Sequence, residues 1–275
     1  MEMNMRLLRR ILNGPNGARR HNSAAAPGKT FNPGSPGPVY SSTKIVSVPV
    51  ETLTRNRIVL EEETHVAEQF KILRTRLLSL TRPHGWSTIQ VTGFEPGEGK
   101  SLIAANLAIS LARDSRQTTL LVDLDFRNPS IHAMLGLEPK PPGLSSFFSG
   151  EKGLEEILIN PGIERLTILP GGRIMQAAEL IGSSKMEALV AELKERYKDR
   201  YIIFDTPPLN GFPDAMVFSE YVDSVVLVAR AGFTSRTSVE SALNLIPRDK
   251  ILGVVFNDVS QKDLTDKYYK YYRGF

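Results

Sequence analysis

The chain contains no cysteine in its 275 residues. That excludes disulfides, thiolate zinc sites and cysteine nucleophiles, and it suits a reducing cytoplasm. Histidine is scarce: His21, His65, His84 and His132 are the four, and none has metal-ligand or catalytic-triad spacing. No apolar run approaches the ~18 residues of a bilayer span. The opening MEMNMRLLRRILN lacks the cleavage pattern of a signal peptide. Positive charge is also confined. Residues 1–58 carry nine Lys/Arg against two Asp/Glu, leaving the remainder at net −3. The pI near 9.2 therefore describes the first segment, and no nucleic-acid surface follows from it.

That first segment is rich in Gly, Pro, Ser and Asn from residue 14 to 47 and shows almost no apolar periodicity. Such composition buries too little surface to offset its ordering entropy, so residues 1–58 are expected to be disordered. Within them Met1, Met5, Leu7, Leu8, Ile11 and Leu12 share one helical face and Arg6, Arg9 and Arg10 the other. This describes a short basic amphipathic helix suited to a membrane surface, although three turns are marginal alone and a disordered start fits equally. Residues 59–260 are expected to form one domain, and 261–275 a tyrosine-rich tail.

A helix is expected over Glu61–Leu80, with Val66, Phe70, Leu73 and Leu77 at helical spacing. Beyond it, the short apolar runs STIQVTG, TTLLVD, RLTILP, YIIFD, SVVLVA and ILGVVF alternate with helical stretches. Runs nearly continuous in Val, Ile and Leu suit parallel strands covered on both faces. The alternation predicts a doubly wound, mostly parallel α/β fold, whose ligands bind at the carboxyl ends of the strands.

Three such ends carry chemistry. The first reads TGFEPGEGKS, in which Pro96, Gly97, Glu98, Gly99, Lys100, Ser101 and Leu102 form a phosphate-binding loop opening a helix. Lys100 would reach the β- and γ-phosphates, and the Ser101 hydroxyl would ligate Mg²⁺. Phe94 stands where the usual P-loop has its first glycine, with Gly93 one place early. The second end, LLVDLDFRNP, places Asp123 and Asp125 on one face of the strand; they are either loop caps or a pair that needs a cation. Arg127 follows, available to the phosphates or to a neighbouring subunit. The third, YIIFDTPP, ends in Asp205, a Walker-B-like carboxylate for a Mg²⁺ shell, before prolines stop the strand.

With EPGEGKS, LLVDLDFRNPS, IIFDTPP, DAMVFSEYVDSVVLVAR and a terminal tyrosine cluster, the chain from about Glu61 to its end resembles the bacterial tyrosine kinases that accompany polysaccharide export. These are relatives of the deviant-Walker Min and Par ATPases within the P-loop NTPases. ERYKDRYIIFDTPPL and GEGKSLIAANLAISLA resemble the autokinases of exosortase-type loci in particular. Where Min and Par ATPases carry a signature lysine this chain has Glu95, which favours the kinase branch. The kinases' E-x-x-R-x-x-R oligomerisation motif appears as Glu68, Lys71 and Arg74, and lysine there keeps the charge but loses the bidentate fork.

The resemblance implies ATP and Mg²⁺ as cofactors. It makes Asp123 the group that orients and deprotonates the tyrosyl hydroxyl, with Ser101, Asp123, Asp125 and Asp205 around the metal and Lys100 on the transferring phosphoryl. Asn257 becomes an adenine-side contact, or else a buried strand-end asparagine. Implied partners are further copies of the chain, in an oligomer of which a ring is one form, a transmembrane polysaccharide-export adaptor and a tyrosine phosphatase, at the inner face of the cell membrane and without nucleic acid. Four of the eight tyrosines, Tyr268, Tyr269, Tyr271 and Tyr272, fall in the last eight residues. By composition they are an aromatic anchor on the parent domain; by resemblance they are phosphoacceptors for a neighbouring copy. The alternatives are a positioning ATPase and a non-catalytic, ATP-gated scaffold.

Overall fold

The computed structural model describes residues 43–60, 63–137, 140–196 and 200–259. The helix expected at residues 1–12 and the tail with Tyr268, Tyr269, Tyr271 and Tyr272 lie outside the described residues. The helices are α1 Val50–Arg55, α2 His65–Thr81, α3 Lys100–Ala112, α4 Ile131–Met134, α5 Leu144–Phe148, α6 Leu154–Ile157, α7 Ala177–Ile181, α8 Ser184–Arg196, α9 Asp214–Phe218 and α10 Arg236–Ala242. The strands are β1 Lys44–Ile45, β2 Thr88–Gly93, β3 Thr118–Asp123, β4 Ile159–Asn160, β5 Leu166–Leu169, β6 Arg200–Asp205, β7 Ser224–Arg230 and β8 Ile251–Asn257. They form one sheet in the order β1-β4-β5-β3-β6-β2-β7-β8, parallel except for β4 against β5.

Strand side chains alternate between two apolar layers, as the period of two requires. Leu120 and Val122 of β3, Ile202 and Phe204 of β6, and Val225 and Leu227 of β7 meet the side covered by α5 to α10. Leu121, Ile203 and Val226 meet the side covered by α1 to α4. Helix α3 is buried from Ile103 to Ala112, which explains why its sequence is apolar all round rather than striped. β2 turns polar residues to the first side: Gln90 donates to Thr206 Oγ1 and to the Ala215 carbonyl, and Thr92 donates to the Pro207 carbonyl. These bonds fix the segment that follows β6.

Two expectations change. The described fold starts well before residue 58, because β1 pairs with β4, and Leu53 and Ile58 are buried in the core. Buried Asn106 of α3 accepts from Val59 N–H and donates to the Arg57 carbonyl, tying this stretch to the domain. A two-residue strand and a six-residue helix are too short to show periodicity. The second concerns α2, which begins at His65 rather than Glu61. Thr64 is its N-cap, accepting from Ala67 N–H, and Val66 from the expected apolar stripe is half exposed. Among the described residues no helix is long and apolar enough to cross a membrane.

Candidate active site

Residues 94–99 link β2 to α3, so a loop of main-chain amides precedes a 13-residue helix start at the carboxyl end of the central strands. Phe94 is buried, and the close approach belongs to Gly93: a Cβ there would collide with the Glu98 carboxylate and the Val228 carbonyl. Gly99 has φ +87° and lies against the Asn257 amide, so both conformation and space call for glycine. The Glu98 side chain turns into the loop. It accepts from Phe94 N–H at 2.7 Å, Glu95 N–H at 2.9 Å and the Thr234 hydroxyl at 2.6 Å. Lys100 Nζ donates to the Glu95 carbonyl at 2.8 Å. Burial lowers the Lys100 pKa, opposed by the charges of Glu98, Asp205, Asp125 and Glu95. Asn257 donates to the Glu98 carbonyl at 2.9 Å, so the end of β8 braces the loop.

Asp123 and Asp205 are register partners on adjacent strands, and both are fully buried. Asp123 accepts from the N–H groups of Ser130, Ile131 and Asp125 at 3.0–3.2 Å. Burial nevertheless pushes its pKa up to about 7, with the Asp125 charge adding to the rise. Burial raises Asp205 well above the carboxylate range, Asp123 raises it further, and nearby Ser101 and Lys100 oppose the shift. Neither Asp205 oxygen has a well-formed hydrogen bond. Asp125 instead accepts from Asn128 N–H at 2.9 Å, capping its own loop.

Among the described residues no three carboxylates or imidazoles converge into a closed metal shell, so the three acids are not a ready-made cage. Mg²⁺ does not need one, since it is commonly held by one or two carboxylates, water and phosphate. A buried carboxylate lacking a hydrogen-bond partner beside the Ser101 hydroxyl fits such an ion.

Several contacts were not legible in the sequence. Arg127 bonds its own subunit: Nε lies 2.9 Å from buried Asp214 at the start of α9, with the guanidinium 4.2 Å above the Phe212 ring. Glu95 accepts from Ser238 Oγ at 2.7 Å and Asn210 Nδ2 at 3.2 Å, joining the phosphate loop to α10 and to the loop after β6. The cue for Asp214 was an acid directly after Pro213, which reads as an ordinary helix start. On α2, Lys71 pairs with Glu68 at 2.7 Å, and Arg74 donates to the Ser110 carbonyl at 2.6 Å.

The chain matches the CobQ/CobB/MinD/ParA nucleotide binding domain over residues 89–273. It is 31% identical over 209 residues to the tyrosine-protein kinase YwqD of Bacillus subtilis (strain 168), covering 74% of this chain and 86% of that protein. It is 30% identical over 210 residues to the putative tyrosine-protein kinase CapB of Staphylococcus aureus, covering 75% and 90%. The crystal structure of the chimerical protein CapA2B2 superposes with a TM-score of 0.69 at 30% identity, covering 82% of this chain and 96% of that one. With this nucleotide-binding fold and these relatives, the chain belongs to the bacterial tyrosine-protein kinase family.

Proposed function

We propose that the chain transfers the γ-phosphoryl group of ATP to tyrosine hydroxyls, with the C-terminal cluster Tyr268, Tyr269, Tyr271 and Tyr272 of another copy as acceptors. The observation that carries this reading is Asp123: a fully buried carboxyl paired in register with Asp205, which in turn acts on Lys100 of the phosphate loop, and held above the ordinary carboxylate pKa by burial. A free phenol titrates near ~10, so an acceptor must shed its proton around transfer. The tyrosyl oxygen bonds to the γ-phosphorus, the bond to the ADP oxygen breaks, and Asp123 takes the phenolic proton. Lys100, released from the Glu95 carbonyl, balances charge on the transferring group. Ser101, Asp205 and, through water, Asp125 would hold Mg²⁺, which offsets phosphate charge when bound.

Glu95 speaks against a Min/Par-like hydrolytic role. The side chain at the signature-lysine position is an acid, and it is engaged by Asn210 and Ser238 of its own subunit. A scaffold without turnover would be marked by a missing Walker acid, and Asp123, Asp125 and Asp205 are all present. The resemblance of the motifs supports regulation of polysaccharide export at the inner membrane face, in an exosortase-type locus, with a membrane adaptor, a phosphatase and self-association through Glu68, Lys71 and Arg74. Tyr268 lies eleven positions beyond Asn257, a reach of at most roughly 35–40 Å, enough to enter a neighbour's site.

The test mixes two full-length variants. Lys100→Met serves as acceptor, and a chain with all four tail tyrosines changed to phenylalanine serves as donor. Phosphotyrosine on the Lys100→Met chain is the expected result. Its absence, with the donor proven to bind ATP, refutes transfer between copies.

A further inference from the structure

The two edges of the sheet are treated differently. β1 at one edge has only two residues, a length that offers little to another strand. β8 at the other edge has seven, ILGVVFN, without a charge or a proline. Among the described residues it pairs with β7 on one side and with no strand on the other. A bulge disturbs its register near Leu252, but Gly253 to Asn257 run in regular register with β7. Both faces of this stretch are already packed: Val254 and Phe256 against one apolar layer, Val255 against the other. Among the described residues, what remains open is a line of outward main-chain N–H and C=O groups, the template by which sheets recruit another strand.

We propose that this edge is covered by the chain's own tail, with residues 268–272 adding antiparallel to Gly253–Asn257 as a ninth strand. Three observations favour the tail over another occupant. It is attached where the edge ends: sixteen residues follow Val259, and Asp258, with φ +58° and an ion pair to Arg230 at 2.8 Å, already departs from the strand direction. Residues 258–267 make a ten-residue connection, whose closure cost grows only slowly with length. The segment itself, YYKYY, is built from a strong strand former, whereas the intervening QKDLTD is not. The nucleotide-binding domain match also extends through this region to residue 273 rather than stopping at β8.

In this arrangement the four tyrosines are withheld from any active site until the strand peels off, so the tail exchanges between a stored and a presented form. The pairing does not depend on the tail being a phosphoacceptor. Phosphorylation adds about −1.5 to −2 charges per tyrosine at neutral pH, and a strand so charged would not return to the edge.

The experiment is amide hydrogen exchange, read by mass spectrometry, on the nucleotide-free, phosphatase-treated full chain and on a full chain carrying Tyr269→Pro and Tyr271→Pro. Proline removes the pairing N–H and blocks the strand. The outward amides of residues 253–257 should exchange at least tenfold faster in the proline variant, at every protein concentration, with β2 and β6 unchanged as controls for folding. Equal exchange in the two proteins overturns the proposal, whether the edge is open in both or protected in both by residues 1–42. Protection that rises with concentration alongside particle mass also overturns it, in favour of β8 pairing between copies. None of these outcomes bears on kinase activity, which is measured separately.

Discussion

Residue 205 is a fully buried carboxylate without a well-formed hydrogen bond. Its pKa and that of Asp123 are raised, chiefly by burial. In the folded protein Asp123 keeps its proton to about pH 7, whereas an unfolded aspartate releases it near ~3.9. Between those values the native state binds the extra proton, so the ligand-free protein should lose stability as pH rises from about 4 to about 7. Asp205→Asn removes a buried ionisable group at nearly constant shape. Melting curves should show its Tm gaining on that of the unchanged chain as pH rises, by about 3 °C or more at the alkaline end of the series, while phosphotransfer is lost. A Tm difference that does not grow with pH would mean that Asp205 is not a strained, ligand-seeking group. The motif acids, the loop lysine and Ser101 were legible because each stands at a strand end or a helix start. The Arg127–Asp214 pair was not, since it joins residues 87 positions apart and no local spacing marks it. Asn257 was open between two roles, and its bond to the Glu98 carbonyl supports the strand-end brace.

Elements were readable where they were long and apolar. β2, β3, β5, β6, β7 and β8 all fall on the runs expected from Val, Ile and Leu, because parallel strands buried on both faces have no choice of composition. β1, α1 and β4 were missed, since elements of two to six residues are stabilised by tertiary contact rather than by pattern. Leu53 of α1 tests that point. At 3% exposure, Leu53→Ala should cost about 2–4 kcal/mol in denaturant unfolding, with a cooperative transition retained. A cost near zero would restore the expectation that order begins only after residue 58.

At the scale of the whole molecule, the eight-stranded sheet of the described residues gathers a phosphate loop, two buried carboxylates and a partly buried third at one end, the end at which β8 also finishes. Lys262, Lys267, Lys270 and Arg273 outnumber Asp263 and Asp266 in the tail, a balance that phosphorylation of its tyrosines would reverse. In the proposed function this architecture phosphorylates tyrosine, with its own tail as the first target. The most direct measurement is intact mass with peptide mapping of the phosphatase-treated full chain, before and after incubation with ATP and Mg²⁺. The account predicts one to four added phosphoryl groups, confined to Tyr268, Tyr269, Tyr271 and Tyr272, removable by a tyrosine phosphatase and absent from Lys100→Met incubated alone. ADP accumulating while the mass stays unchanged would contradict it.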